Sequence, residues 1–171
     1  MPRAKKTAKA GASTMVVPAP TRVGMPAAYM PEGTKFKFLP WSFADTRLRR
    51  AHNYWVCSTR PDSRPHTAPV WGMWSDGAFF FSTDPSSTKA RNLSANPAII
   101  VHVESGDEVV IIEGTCSSCD VTKELDAAYF RKYKMHLIGF PAPMVMLRVN
   151  VAVVSAWREK SFSASTTRWQ F

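Results

Sequence analysis

Ala78-Phe79-Phe80-Phe81-Ser82-Thr83, followed after Asp84-Pro85 by Ser86-Ser87-Thr88-Lys89-Ala90-Arg91-Asn92-Leu93, is the stretch on which the fold turns. The first run is apolar and aromatic and reads as a strand. The second reads as a short helix, stopped by Asn96-Pro97. The order is strand, loop, helix, with Ser87, Thr88, Lys89 and Arg91 at the helix start. A helix N-terminus presents unpaired N–H groups and a partial positive charge. With these side chains added, it can seat a phosphate. The same residues also suit a plain capped surface helix, with Ser86 or Ser87 as N-cap and the basic groups in water.

Working outward, residues 41–52 carry Phe43, Ala44, Leu48 and Ala51 at helical spacing, opposite Arg47, Arg49 and Arg50. This predicts an amphipathic helix that stops at Asn53. Residues 54–59 read as a strand, Pro61-Asp62-Ser63 as a turn, and 65–74 as a second strand whose prolines suit an edge or an irregular stretch rather than a fully paired ladder. Ser75-Asp76-Gly77 then turns the chain into Ala78–Thr83. Beyond the short helix, 98–104 and 108–115 read as strands joined at Ser105-Gly106-Asp107. Residues 120–134 read as a helix with Leu125, Ala128 and Tyr129 on one face. After Pro141 and Pro143, 144–157 reads as the sixth and longest strand, and 161–171 as a polar segment ending in aromatics.

Short strands, tight turns and few helices predict a mainly β protein whose antiparallel sheet closes into a barrel and so loses its edges. Six strands enclose little beyond their own side chains. A sizeable ligand must then lie outside, in a groove, where a second subunit is a natural wall.

The chain has 171 residues, 45% hydrophobic and 20% charged, which suits one domain with a real core. No apolar run approaches the ~20 residues of a membrane span. The basic start Met1-Pro2-Arg3-Ala4-Lys5-Lys6 is not followed by the apolar segment of a signal peptide. The expectation is a soluble, cytoplasmic protein. Residues 1–30, rich in Ala, Pro, Thr and Gly without periodicity, read as a disordered or loosely packed basic arm, and 31–171 as the folded domain. The net charge of +9 raises the question of nucleic acid, but Arg3, Lys5, Lys6, Lys9 and Arg22 lie in that arm. The remaining charge suits a small anionic ligand as well as a polymer. Trp55, Trp71, Phe79 and Phe81 read more simply as core or interface than as a base-stacking platform, which makes nucleic acid the least supported partner.

Cys57, Cys116 and Cys119 are an odd count, against a disulfide framework. Cys116-Ser117-Ser118-Cys119 has CxxC spacing but no second pair or nearby histidines for zinc. It also lacks the strand-then-helix setting of a thioredoxin-type motif. The thiols read as free, and no metal site is assigned.

A longer set of segments carries a resemblance. It runs from Tyr54-Trp55 and Asp62-Ser63-Arg64-Pro65-His66, through Ala68-Pro69-Val70-Trp71-Gly72-Met73-Trp74-Ser75-Asp76-Gly77, to Phe81-Ser82-Thr83. It continues with Lys89-Ala90-Arg91-Asn92-Leu93, Asn96-Pro97, Val101-His102-Val103-Glu104 and residues 110–114. In this order they resemble the pyridoxamine 5′-phosphate oxidase-like family of flavin- and deazaflavin-binding split β-barrels. The ending Thr167-Arg168-Trp169-Gln170-Phe171 is similar to that of an actinobacterial branch in which many members use the deazaflavin F420 rather than FMN. Ser63, where glycine is common, and the CxxC pair depart from the pattern.

The resemblance implies a six-stranded antiparallel split β-barrel, a homodimer, and two cofactor grooves at the subunit interface. It implies that Lys89, with Ser87, Thr88, Arg91 and Asn92, holds the cofactor phosphate. Pro69, Val70 and Trp71 would line the flat ring, chiefly with backbone groups, and Ser82 and Thr83 would sit at the ring or side-chain end. Arg64 would reach the same groove, and Arg168 and Trp169 would come across from the second subunit.

In such an enzyme the reacting atom belongs to the cofactor, so no catalytic side chain is assigned. His66 and His102 read as packed strand histidines, and His52 as a helix-end cation. His136 is a candidate substrate contact or proton donor, and Tyr129, Lys132 and Lys134 are candidate contacts for an anionic ligand. The reading is a reductase that uses reduced F420 to pass a hydride to a small organic substrate. An FMN-dependent pyridoxamine 5′-phosphate oxidase-like enzyme and a non-catalytic flavin or F420 carrier are the alternatives.

Overall fold

A computed structural model describes residues 15–171. Its sheet has seven antiparallel strands: β1 Asn53–Thr59, β2 Pro65–Ser75, β3 Ala78–Thr83, β4 Ala98–Val103, β5 Glu108–Cys119, β6 Val145–Arg158 and β7 Thr167–Gln170. Their spatial order is β3-β2-β1-β4-β5-β6-β7, and β3 also pairs with β6, from Ala78 opposite Asn150 to Thr83 opposite Val145. That pairing closes six strands into the expected barrel, and β7 pairs with β6 farther along, at Val153–Ala156. Among the described residues there are four α-helices: α1 Trp41–Arg50, α2 Thr88–Ala95, α3 Lys123–Tyr133 and the single turn α4 Phe162–Ser165. No helix among them is long and apolar enough to cross a membrane.

Strand periodicity fills the barrel. Tyr54 and Val56, Ile99 and Val101, and Val110 and Ile112 alternate inward with outward neighbours. Phe79, Phe81 and Trp169 join them, and Leu48 of α1 closes one end. Each buried side chain of this size contributes roughly 1.5–3 kcal/mol. The Asp76-Gly77 turn between β2 and β3 has both residues at positive φ, 49° and 73°, the backbone hand that matches strand twist.

Four elements differ from the sequence expectation by more than one residue. β5 runs four residues past Thr115, because its ladder with β6 continues beyond a bulge at Glu113/Gly114 as far as Cys119 opposite Met146. The bulge needs glycine: a Cβ on Gly114 would lie 2.2 Å from the Asn150 carbonyl oxygen. The last segment supplies a strand, β7, with Trp169 opposite Val154 and pointing into the core. α3 starts three residues late, at the point where the Thr122 hydroxyl caps it by accepting from Leu125 N at 3.2 Å. α1 ends two residues early, at Arg50.

The expected N-terminal arm falls partly on residues 1–14, which lie outside the described residues. Further along, Thr21 pairs with Arg168 through N–H···O bonds of 2.7 and 2.9 Å, and Met15 packs against the core.

α3 covers the outer face of β2, β3 and β6 with a second cluster, Met73, Leu125, Tyr129, Leu137 and Met146. Its C-terminal end completes an edge. The β1–β2 ladder ends at Asn53 opposite Trp71, which leaves the next residue, Gly72, without a strand partner on that side. Tyr133 Oη accepts from Gly72 N at 2.9 Å and lies 2.7 Å from Gly72 O, while Lys132 Nζ donates to Gly72 O at 2.9 Å and to Tyr54 Oη at 2.8 Å. Tyr54 Oη in turn donates to Leu48 O. Burial pushes the Lys132 amine down to about 8 and the Tyr133 phenol up to about 12.

Two expectations follow. In Gly72→Ala, the new Cβ would meet Phe79 Cζ at 2.3 Å, inside the core. The variant should lose about 1–3 kcal/mol of unfolding free energy in a urea titration. Lys132 is protonated more readily unfolded than folded, so its penalty is fully present below pH 8 and fades as pH rises toward 10.5. Wild type should gain on the order of 1–3 kcal/mol relative to Lys132→Met across that window, and parallel stability curves for the two proteins would contradict the assignment.

Candidate functional site

α2 starts where β3 delivers it. Thr83, the last residue of β3, points inward and its hydroxyl lies 3.0 Å from Ser87 Oγ. Ser87 is the N-cap, accepting from Ala90 N at 3.2 Å, and Ser87 N donates to Asp84 O at 3.0 Å. Asp84 also accepts from Ser86, which holds its carboxyl below the usual range. One turn on, Asn92 is buried and donates to Ser58 Oγ at 3.1 Å, which seats the helix on β1. The helix start is thus a fixed extension of the barrel.

Facing it is the β1–β2 turn. Arg60 N donates to Arg64 O and Ser63 N to Arg60 O, both at 2.9 Å, and Ser63 takes φ of 65°, the left-handed backbone that favours glycine. The turn and the helix enclose a cleft of about 470 Å³ lined by Arg60, Pro61, Asp62, Arg64, Thr88, Arg91 and Asn92. Three guanidinium groups against one carboxylate give it a net charge of +2. Arg64 is tied to Asp62 at 2.6 and 2.9 Å, and Asp62 is held below the usual range by that contact. Arg91 donates to Ser86 O and reaches Thr88 Oγ1 at 3.5 Å. Arg60 Nε is buried with no hydrogen-bond partner. Arg60 and Arg91, with the Thr88 hydroxyl, bring several donors to the cleft lining. The donor set therefore fits a phosphate.

A flat wall lies farther along β2, at the other end of its ladder with β1. Gly72 pairs with Phe81, so Trp71 and Ser82 are neighbours on the outer face of β2 and β3. Pro69 lies two residues back, exposed on that face. The Trp71 indole, 43% exposed, stacks on the Tyr133 ring at 4.9 Å and 6°. The outer face then runs across the sheet as one row: Pro69, Trp55, His102, Ile111, Ser155 and Arg168 are successive cross-strand partners. Ile100, beside this row, is 41% exposed, and Arg168 Nε is buried without a partner.

The residues singled out from the sequence therefore separate. Arg64, Thr88, Arg91 and Asn92 share the cleft, with Ser87 and Thr83 behind it as supports. Lys89 is half-buried on the same helical turn but does not line the cleft. Pro69, Trp71, Ser82 and Arg168 lie on the outer face. Val70 and Trp169 point into the barrel, the latter edge-on to Trp41 at 5.2 Å. His52 lies past the end of α1 and meets Trp71 and Tyr133 edge-on, and His102 Nδ1 lies 2.9 Å from Val103 O. His136 Nδ1 lies 2.7 Å from the Asp126 carboxylate, which also accepts from Leu137 N and Ile138 N and is held below the usual range. Lys132 is committed to Gly72 and Tyr54, and Lys134 is the left-handed C-cap of α3.

The odd spacing of Cys116 and Cys119 on one strand sends the first to the barrel core and the second to the cluster under α3. Both are free thiols, and burial pushes Cys116 up to about 12. Sequence reasoning passed over Arg60, whose signal was its place four residues before Arg64 across a turn. It also passed over Tyr133, whose signal was its place four after Tyr129 on one helix face.

Comparison with known proteins agrees with this architecture. Residues 43–158 match the family described as Pyridoxamine 5′-phosphate oxidase. No protein of curated function matches the sequence. Among solved structures, an F420 reductase is 22% identical, with a TM-score of 0.55 over 65% of this chain and 94% of its own. General Stress Protein 26 from Bacillus anthracis is 19% identical, with a TM-score of 0.57 over 67% of this chain and 91% of its own. A NimC/NimA family protein from Clostridium acetobutylicum is 10% identical, with a TM-score of 0.58 over 85% of this chain and 97% of its own. At these identities the structural likeness speaks for the fold alone, while the match over two thirds of the sequence settles kinship: the chain belongs to the pyridoxamine 5′-phosphate oxidase family.

Proposed function

We propose that this protein is a homodimeric oxidoreductase that binds a flavin-type cofactor and uses it, as reduced F420, to reduce a small organic acceptor. The observation that carries the reading is the arginine-lined cleft at the start of α2, on a barrel whose outer face also carries an exposed, stacked indole. A flavin or deazaflavin has the matching halves, an anionic phosphate and a planar ring. Arg60, Arg91 and the Thr88 hydroxyl would hold the phosphate, with Lys89 as a further cation on the same turn. Pro69, Trp71 and Ser82 would face the ring. When bound, the cofactor supplies the hydride, and the chain supplies grip, orientation and exclusion of water. The preference for F420 over FMN rests on the Thr167–Phe171 ending, and the fold shared with an F420 reductase is consistent with it.

The homodimer is supported by the outer row from Pro69 to Arg168. Trp55 and Ile111 in the row, with the exposed Ile100 and Trp71 on the same face, present apolar surface suited to a second copy.

Titration of the purified protein with F420 and with FMN tests the cofactor. Tight F420 binding is expected, and FMN binding without F420 binding would reject the deazaflavin choice. Arg60→Ala and Arg91→Ala should each weaken cofactor binding by about 1.5–3 kcal/mol, the usual worth of a hydrogen bond to a charged group, with unchanged circular dichroism. Ile100→Asp should shift sedimentation from dimer to monomer and lower cofactor affinity in parallel. A variant that remains dimeric would remove that face from the interface.

A further inference from the structure

The two faces of α2 border cavities of opposite character. Successive helical residues turn by about 100°. Thr88, Arg91 and Asn92 therefore share one side and line the arginine cleft, while Ala90, Leu93 and Ser94 share the other and line a second cavity of about 510 Å³. That cavity lies between the helix and the far part of the β5–β6 ladder. No charged side chain lines it, although the chain carries 22 basic and 13 acidic residues. Leu93 and Leu147, both buried, and the half-buried Val145 make its lining apolar. Ser94, Ser117 and Ser118 add exposed hydroxyls, none of them hydrogen-bonded among the described residues.

Strand register explains why the space is there. β5 pairs with β4 only as far as Thr115 opposite Ala98, and Cys116 N adds one bond to Pro97 O at 2.8 Å. Beyond that bond β5 keeps β6 on one edge, as far as Cys119 opposite Met146, and has no strand on the other. A bare strand edge offers N–H and C=O groups that a ligand can pair with.

We propose that this cavity is a second binding site, for a small neutral molecule with an apolar body and one hydroxyl or amide group. Its volume lies within the range of about 300–1,000 Å³ common to small-molecule sites. The apolar body would lie against Leu93, Val145 and Leu147, and the polar group against the serine hydroxyls and the free edge of β5. An anion would lose water here without meeting a cation, so charge selects the opposite face of α2. The inference is independent of which cofactor the arginine cleft holds, and a failed F420 or FMN titration leaves it standing.

The probe is 1-naphthol, uncharged at pH 7, with 1-naphthoate as its anionic counterpart, titrated into the full chain by fluorescence. The proteins are wild type, Ala90→Phe and Ser94→Asp. Wild type should bind one naphthol per chain, undisturbed by saturating inorganic phosphate, and naphthoate should compete with it about tenfold less well than naphthol itself, or worse. Affinity for naphthol should fall by about tenfold or more in Ala90→Phe, whose ring takes the ligand's space. It should fall by a similar factor, about tenfold, in Ser94→Asp, whose short side chain keeps a charge at the lining. Ser94 is exposed, so that variant decides the matter if Ala90→Phe loses its circular dichroism. Absence of saturable naphthol binding to wild type, wild-type affinity in the folded variants, or displacement by phosphate each overturns the inference. So does sedimentation in which Ser94→Asp turns a dimer into a monomer, because the cavity then belongs to a contact between copies.

Discussion

Closure of the sheet through β3 and β6 is the constraint on which everything else depends. Once those strands pair, from Ala78 opposite Asn150 to Thr83 opposite Val145, the barrel has an inside and an outside. The inside is filled by Tyr54, Phe79, Phe81, Ile112 and Trp169. A closed six-stranded barrel has no spare interior volume, so recognition must be built on its outer surface. The same closure fixes where β3 ends, and therefore where the chain must leave the sheet and begin α2. Thr83 touching Ser87 is the local consequence: the last inward residue of the barrel supports the cap of the helix that borders the cleft.

The outer surface divides into two parts with different chemistry. Over β2, β3 and β6 it is covered by α3 and the cluster around Met73, Tyr129 and Met146. Over β1, β4 and β5 it stays open, with apolar side chains at alternate positions and polar ones between them. The boundary falls at Trp71 and Gly72, where β1 gives out and the side chains of Lys132 and Tyr133 take over its hydrogen-bonding role. A strand edge finished by side chains differs from one finished by another strand, because it can present a ring of fixed orientation at the seam.

Most of the fold was legible because its periods are clean. The six barrel strands alternate along their length, and the Asp76-Gly77 turn declares the β2–β3 hairpin. What could not be read was anything decided by pairing partners. β5 continues past Gly114 because β6 is long enough to pair with it, and neither fact is visible locally. β7 reads as a polar tail because Thr167 and Arg168 dilute its one large apolar residue, and only β6 makes it a strand. The candidate site divides in the same way. The hydroxyls and cations of α2 are contiguous in sequence and were found together. Arg60 joins them only because Ser63 adopts a left-handed backbone that folds the turn back on itself. Strand parity separates Val70 from Pro69 and Trp71: adjacent residues, quoted together from the sequence, face opposite sides of the sheet.

Charge availability, rather than charge count, orders the residues in the cleft. Three arginines line it, but they are not equivalent. Arg64 is neutralised by Asp62 through two of its nitrogens, and the exposed pair costs little to break or keep. Arg91 spends part of its guanidinium on Ser86 O and Thr88, which aims it along the helix start and tightens the loop there. Arg60 is the remaining one, half-buried, with a buried Nε that no protein atom accepts from. Among the described residues its side chain makes no hydrogen bond, so of the three it gives up least on meeting an anion. Lys132 stands at the other extreme: desolvated to a pKa near 8, satisfied by Gly72 and Tyr54, and inert as a ligand contact despite its charge. The residue least conspicuous in the sequence thus has the most to offer an anion, and a lysine that had looked like a contact has become part of the scaffold.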